Sequence, residues 1–544
     1  MAEESLRRSL DAAFDPGPDF PDPRLLSRTM TAIAEANAAP APRAPASRSR
    51  IMVLEPTARG GRLVAAALIV LLLLAAAGAF VAVQHYFVSP IPAGWRACGG
   101  SFQCADVSVP LDYTNPGAGS ITIAAVRKPA TDAAHRIGGL ALSLGLPVVS
   151  GIDYLRKNSV FYDKFNSRLD LIGFDVRGGG RSAPVRCLTG PQTDAINQVD
   201  TVLDDAREKQ LFIESAIAYA QACEQTSGRV LPFVDTASAA RDLDAIRKSL
   251  GDSQLTILAF GYGTLLGETY AQLFPSHLRA MVLDGVYDPS ASATDAWLQR
   301  AAGYEDNLQA FLADCRVLAG CELGTDPAAK LTALLRRVDD APMTVGSRTL
   351  SHRLAISALL LGLEPNNWRR LDAALSDAAG GDGKALLAMA DEYYGRQPDG
   401  SYAFNGDAVA AVTCLDQPVP KDVSAYDQLG PAMAAASPIF GPAFQYLALQ
   451  CAYWPAPPRP RAQPQGAGGV PPVLLVGATH DPQWSYAGAR VMNRQLPGSV
   501  LLTRDGYGTV SYFWSGCVRV AVDAYLLRLS MPSSGTVCAS DYPA

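Results

Sequence analysis

The chain has 544 residues, of which 49 % are hydrophobic and 18 % are charged, and this composition excludes disorder over most of its length. At roughly 100–200 residues per domain, the length allows several domains or one large domain with an insertion. The 46 basic and 52 acidic residues leave a net charge of −6 without any Lys/Arg-rich run, which argues against a nucleic-acid partner.

The first feature in chain order is an uncharged apolar segment, Leu63–Val83. At 1.5 Å per residue a helix there is about 31 Å long, enough to cross a bilayer core of about 30 Å. A cleaved signal peptide is the alternative. It fits less well, because some 60 residues precede the segment and the apolar part of a signal peptide has only about 7–15 residues. We therefore predict one transmembrane helix over residues 62–84.

Charges beside this segment predict its orientation. Four arginines lie just before it, whereas no Lys or Arg follows it until Arg96. These arginines are Arg48, Arg50, Arg59 and Arg62. The excess of positive charge places residues 1–61 in the cytoplasm, as a mostly disordered tail, and the C-terminal domain outside the cell membrane.

All ten cysteines follow the apolar segment, and their even number predicts disulfides in an oxidising compartment. They are Cys98, Cys104, Cys187, Cys223, Cys315, Cys321, Cys414, Cys451, Cys517 and Cys538. Spacing leaves the connectivity open, and pairing in chain order closes the smallest loops. Zinc binding is the alternative, which the lack of a CxxC motif and the scattered histidines disfavour. We expect no metal and no cofactor.

Strand and helix patterns alternate after the anchor. Short apolar runs typical of buried parallel strands occur at Gly139–Leu144, Leu169–Phe174, Leu255–Phe260, Ala280–Leu283, Val473–Val476 and Ser499–Thr503. Val107–Pro110 and Ile121–Val126 are predicted as opening strands, and Ala237–Leu250 and Val518–Leu529 as helices. This alternation predicts an α/β fold with a doubly wound, mostly parallel sheet.

Between residues 289 and 470 the alternation stops. Helical patterns occur there at Trp297–Ala313, Ala329–Val338, His352–Leu363 and Leu371–Tyr394. We interpret 289–470 as an inserted helical cap with its linker, placed over the carboxyl ends of the strands. Residues 92–288 and 471–544 then form the two parts of the core.

Three motifs carry a family resemblance. They are Phe174–Ser182 (FDVRGGGRS), Gly263–Ala271 (GTLLGETYA) and Val282–Pro289 (VLDGVYDP). Together with the C-terminal stretch Pro472–Cys538, they resemble the TAP-like α/β hydrolases, the secreted tripeptidyl aminopeptidases of actinobacteria. The resemblance implies an α/β-hydrolase fold, a helical cap and a serine peptidase site for peptide N-termini.

The same resemblance indicates a degenerate triad. An α/β hydrolase carries its serine at a G-x-S-x-G turn, followed in the chain by the acid and the histidine. Here Gly261 stands at the nucleophile position, Asp481 at the acid position and Thr509 at the histidine position. No histidine follows His480, so the triad cannot be completed nearby in the sequence.

The oxyanion loop also departs from the family pattern. In place of the family's glycine-rich turn this chain has Gly145, Leu146, Pro147, Val148 and Val149. Adjacent β-branched residues disfavour positive φ, so we expect that the amides of this loop do not converge on an oxyanion.

Two functional hypotheses follow. The first is a membrane-anchored, extracytoplasmic, non-catalytic protein that binds a peptide, a cell-envelope component or a protein partner. The second is a serine hydrolase with rearranged residues, using Ser150 or Ser182 as the nucleophile, although neither has a suitable histidine in its sequence context. The acidic pairs Asp204–Asp205 and Asp339–Asp340 are interpreted as solvated helix ends rather than metal ligands.

Overall fold

A computed structural model describes residues 91–144, 149–288, 290–317, 321–459 and 469–541. The predicted cytoplasmic tail and the predicted transmembrane helix 62–84 lie outside these ranges. Within them, no helix is long and apolar enough to cross a membrane. The short 3-10 turn Ala133–His135 and the preceding Asp132 belong to a different compact unit from the other described residues.

Most strands of the described ranges belong to one sheet of ten. The strands are β1 Trp95–Ala97, β2 Gln103–Pro110, β3 Ser120–Lys128, β4 Gly138–Ser143, β5 Leu169–Phe174, β6 Leu255–Phe260, β7 Leu278–Asp284, β8 Met343–Val345, β9 Arg348–Leu350, β10 Leu474–His480, β11 Val500–Tyr507 and β12 Val537–Ala539. The order in the large sheet is β1-β2-β3-β5-β4-β6-β7-β10-β11-β12, while β8 and β9 form a separate hairpin. Strands β1, β2, β3 and β5 pair antiparallel, and all pairs from β5 to β12 are parallel. The prediction of a mostly parallel sheet is confirmed.

The helices follow in chain order. They are α1 Gly151–Asn158, α2 Asp163–Asn166, α3 Gly190–Gln198, α4 Ala206–Ser227, α5 Thr236–Ser249, α6 Gly263–Leu273, α7 Ala293–Val317, α8 Pro327–Asp340, α9 His352–Gly362, α10 Trp368–Ala379, α11 Lys384–Tyr394, α12 Gly406–Asp416, α13 Val423–Asp427, α14 Gly430–Ala436, α15 Phe440–Phe444, α16 Tyr486–Gln495 and α17 Gly516–Arg528.

Two apolar layers hold helices against the sheet. Helices α5, α6 and α16 bury their apolar faces on one side, where Leu243 and Ile246 of α5 are fully buried at helical spacing. Helices α1, α2 and α17 cover the other side, with Leu155, Phe165 and Val518 among the buried residues. Helices on both faces make this a doubly wound α/β fold, as the strand patterns predicted.

The region between β7 and β10 is mostly helical and has an apolar core of its own. The predicted helical stretch Leu371–Tyr394 comprises two helices, α10 and α11. The break falls at residues 380–383, where three of the four residues are glycine and Gly381 adopts a φ of +102°. Glycine at positive φ ends the first helix because the α-helix requires negative φ.

Helices α3 and α4 lie in the predicted first part of the core, residues 92–288, but they contact the inserted region. Arg396 forms an ion pair of 2.6 Å with Asp194 of α3. Tyr219 of α4 donates a hydrogen bond of 2.9 Å to Asp407 of α12. The inserted layer therefore combines two segments that lie on either side of β6 and β7 in the chain.

Five disulfides tie the domain together. They join Cys98 to Cys104, Cys187 to Cys223, Cys315 to Cys321, Cys414 to Cys451, and Cys517 to Cys538. Pairing in chain order is thus confirmed, and the bonded cysteines indicate an oxidising compartment for this domain.

Candidate active site

The predicted nucleophile position lies at a sharp turn between β6 and α6. Gly261 adopts a φ of +55°, a region in which a side chain is strained and glycine is not. Its N–H donates a hydrogen bond of 2.9 Å to the Asp284 carbonyl, and its own carbonyl accepts one of 2.6 Å from the Thr264 hydroxyl. The strand-to-helix turn of an α/β hydrolase is therefore formed here around a residue that carries no nucleophilic atom.

The indole of Trp484 packs against this turn. A Cβ placed on Gly261 would lie 3.0 Å from Trp484 Nε1, and one on Gly285 would lie 2.9 Å from Trp484 Cδ1. The Trp484 ring also contacts Tyr287, at 5.9 Å between centroids. Sequence reasoning missed Trp484. Its only signal was a large aromatic residue three positions after Asp481, and its contact with Gly261 is purely tertiary.

Asp481, at the predicted acid position, follows β10 and is buried. Its Oδ1 accepts hydrogen bonds from the backbone N–H groups of Gln483 and Trp484, both at 2.9 Å. The Thr509 hydroxyl donates to the same oxygen at 2.8 Å, and Val510 N–H donates to Oδ2 at 3.1 Å. Asp481 and Thr509 are thus adjacent, but a threonine hydroxyl has no basic lone pair with which to take a proton from a nucleophile.

Two further carboxyl groups, those of Asp284 and Glu364, lie near Asp481 and Thr509. Asp284, fully buried, accepts hydrogen bonds from the N–H groups of Ser511 and Tyr512, and burial raises its pKa to about 7. Glu364 accepts a 3.2 Å hydrogen bond from Thr509 N–H. Burial, reinforced by the charge of Asp481, raises the Glu364 pKa to about 7.

Arg504 supplies the positive charge within this cluster. Its guanidinium is fully buried and donates to the carbonyls of Tyr507, Gly508 and Val510 at 2.7, 2.6 and 3.2 Å. These carbonyls belong to the turn that presents Thr509. Arg504 therefore shapes the turn and offsets the buried carboxylates at the same time.

The histidines that the structure describes pair with acids outside the Gly261 turn. His480 Nδ1 lies 2.6 Å from Asp306 Oδ2, and its ring stacks on Tyr507 at 4.3 Å. His277 contacts Asp244 at 2.8 Å, and His135 contacts Asp132 at 2.8 Å. His352 lies near Asp200 and Asp339 in the inserted layer, and the fifth histidine, His85, lies outside the described ranges.

The two alternative nucleophiles hold backbone structure. The Ser150 hydroxyl caps α1 by accepting from Asp153 N–H and donates to Asp175 Oδ1 at 2.6 Å. Ser182 is fully buried, and its Oγ accepts a 2.9 Å hydrogen bond from Ala124 N–H. In the described ranges no histidine is hydrogen-bonded to either serine. Of the predicted oxyanion loop, Gly145–Val148 lie outside the description, and Val149 lies in a bend before α1.

Comparison with known proteins places this site in a family. Residues 437–538 match the family model described as TAP-like protein. Serine protease Hip1 of Mycobacterium tuberculosis is 35 % identical over 481 residues, which cover 82 % of this chain and 91 % of that protein. The chain belongs to the TAP-like α/β-hydrolase family.

Other TAP-like relatives carry hydrolase names. Carboxylesterase B of Mycobacterium tuberculosis is 34 % identical over 80 % of this chain and 86 % of its own length. Tripeptidyl aminopeptidase of Streptomyces lividans is 29 % identical over 82 % of this chain and 86 % of its own. Among solved structures, proline iminopeptidase of Mycobacterium smegmatis aligns with 78 % of this chain and 98 % of its own at 14 % identity and a TM-score of 0.36.

Of the two acidic pairs that we predicted to be solvated helix ends, Asp339–Asp340 fits this prediction only in part. Asp205 caps α4 by accepting from the N–H groups of Arg207 and Glu208, as a helix end should. Asp340 is exposed at the end of α8. Asp339 instead turns toward His352, with 3.8 Å between its Oδ1 and the ring Nδ1. Asp339 lies at a helix end as predicted, but its side chain is only 26 % exposed, because α9 packs against α8.

We expect Glu364→Gln to gain stability relative to the native chain as pH rises. The Glu364 pKa is raised from 4.5 to about 7, so the folded chain binds a proton more readily than the unfolded chain. The free energy of unfolding therefore falls between about pH 4.5 and 7, because the unfolded chain loses this proton before the folded chain does. Glutamine does not ionise, so the variant does not show this fall. Urea denaturation of both proteins from pH 4.5 to 8 measures the difference.

The matched control is Glu322→Gln, at an exposed glutamate. Its stability should follow that of the native chain at every pH. A difference between Glu364→Gln and the native chain that stays constant from pH 4.5 to 8 would contradict the prediction.

Proposed function

We propose that this TAP-like protein is non-catalytic and acts as a binding or regulatory protein on the outer side of the cell membrane. The observation that carries the proposal is the packing of the Trp484 indole against Gly261, where a hydrolase needs room for its nucleophile. Thr509 on Asp481 supports it, because the acid then orients a hydroxyl and not an imidazole.

The purified protein should not hydrolyse tripeptidyl p-nitroanilides or p-nitrophenyl esters above background, and it should not react with a fluorophosphonate probe. The reason is that Gly261 has no side chain to form an acyl intermediate. Rates of the native chain and Asp481→Ala, measured side by side, should be equal.

A rate that depends on Asp481, or stoichiometric fluorophosphonate labelling, would overturn this proposal in favour of the rearranged hydrolase. Ser150→Ala and Ser182→Ala then identify the labelled residue. Mass spectrometry of the labelled peptide gives an independent assignment.

The ligand that we propose is a peptide, a cell-envelope component or a protein. Its binding surface includes the partly exposed aromatic side chain of Trp484 beside the Gly261 turn, since aromatic rings bind ligands through large apolar areas. A relative is named for tripeptides, so tripeptides with a free N-terminus are the first probes. Binding should change the Trp484 fluorescence, and Trp484→Phe should remove that change.

The membrane anchor remains part of the proposal and has its own test. Because the described cysteines are all disulfide-bonded, one added cysteine supplies a single reactive thiol. In intact cells Ser534→Cys, at an exposed position, should react with membrane-impermeant maleimide, whereas Ser27→Cys should react only after lysis. The reverse pattern would contradict the orientation. A soluble product that begins near residue 90 would show that the segment is cleaved.

A further inference from the structure

Three metal-ligating side chains meet in the inserted layer, away from the Gly261 turn. Asp200 lies between α3 and α4, Asp339 in the last turn of α8, and His352 at the start of α9. His352 Nδ1 is 3.5 Å from Asp200 Oδ1 and 3.8 Å from Asp339 Oδ1. One ligand atom from each residue lies within 4.8 Å of the other two, so a single ion can contact all three.

The histidine is the second observation that points to a ligand. Only 8 % of the His352 side chain is exposed, and its buried Nδ1 has no hydrogen-bond partner. At 3.5 Å the contact with Asp200 is longer than the 2.7–3.2 Å that is typical of a protein hydrogen bond. A buried ring nitrogen without a partner is unfavourable, and this one faces two carboxylates.

The distances of 3.5 and 3.8 Å from His352 Nδ1 to the two carboxylate oxygens are close to those between ligands of a zinc ion. Ligand atoms at about 2.0–2.2 Å from a tetrahedral zinc ion are separated from one another by about 3.4 Å. A neutral imidazole and two carboxylates also carry two negative charges, which a divalent cation neutralises.

The backbone on both sides of the cluster is already held in place. Gln198 donates a 3.1 Å hydrogen bond to the Thr349 carbonyl, and Arg353 donates one of 3.1 Å to the Ile196 carbonyl. Asp200 Oδ1 further accepts from the N–H groups of Thr201 and Val202. The ligands therefore sit on prearranged segments, so binding orders little additional chain.

We propose that Asp200, Asp339 and His352 form a zinc site, with water completing the coordination, that ties the α3–α4 segment to helices α8 and α9. The site does not depend on the proposed function at Gly261. Calcium is disfavoured as the occupant, because it takes six to eight oxygen ligands and one ligand here is an imidazole.

The test uses the full chain, purified in detergent, stripped with EDTA and titrated with zinc chloride. Calorimetry should find one zinc ion bound per chain, and saturating zinc should raise the melting temperature by at least about 2 °C. His352→Gln and Asp339→Asn should each weaken zinc binding at least about tenfold and remove the shift. Asp340→Asn, one residue further along and exposed, should behave like the native chain.

Failure of the native chain to bind zinc at 100 µM, or unchanged affinity in His352→Gln, would overturn the proposal. If His352→Gln does not fold, Asp339→Asn and Asp200→Asn make the same comparison, because asparagine keeps an acceptor for the local N–H groups. Calcium chloride at the same concentration should not displace the zinc, and displacement would contradict the assigned metal.

Discussion

Gly261→Ser should destabilise the folded chain by about 1–3 kcal/mol, the usual cost of a non-glycine residue in a strained backbone region. Gly261 has a φ of +55°, and a Cβ there would lie 3.0 Å from Trp484 Nε1, so the serine also forces the indole to move. The serine should remain inert, because Thr509 and not a histidine faces Asp481. Chemical denaturation and an ester reporter assay measure the two effects.

Gly251→Ser is the matched control, because Gly251 has a φ of +75° and nothing within 4 Å of its Cβ position. It should show the backbone strain without the collision, so Gly261→Ser should be the more destabilising of the two. Trp484→Ala should reduce the difference when combined with Gly261→Ser. If Gly261→Ser leaves stability unchanged or raises it, the assignment of the turn to Gly261 is wrong.

Arg504→Met should destabilise the fold by about 3–5 kcal/mol, the range found when one partner of a buried charge cluster is removed. The substitution leaves the carbonyls of Tyr507, Gly508 and Val510 without their buried donor. It also removes the positive charge that interacts with the buried carboxyl groups of Asp481, Asp284 and Glu364. The free energy of unfolding in urea at pH 7.5 measures the loss.

Arg494→Met provides the comparison, since Arg494 is exposed on α16 and its loss should change stability by less than about 0.5 kcal/mol. Arg504→Lys should recover only part of the stability, because an ammonium cannot reproduce the planar fork of a guanidinium. Equal stability of Arg504→Met and the native chain would mean that the turn holds its shape without the buried charge.

The fold was largely predictable because its signals are local. Leu169–Phe174 and Leu255–Phe260 are strands with the predicted bounds, since a strand buried on both faces must be a short, continuous apolar run. The attachment of α3 and α4 to the inserted region was missed, because it depends on an ion pair and a hydrogen bond between residues 202 and 188 positions apart.

Four features could be predicted from the sequence alone: the family, the α/β fold, disulfide bonding of the ten cysteines, and the residues at the three triad positions. Each of these depends on residue types and on their order along the chain. Three features appear only in the folded structure: Trp484 packs on Gly261, Arg504 lies among buried carboxyl groups, and His352 lies close to Asp200 and Asp339. Such contacts join side chains from distant elements, and the packing of those elements, which no local pattern encodes, determines which side chains meet.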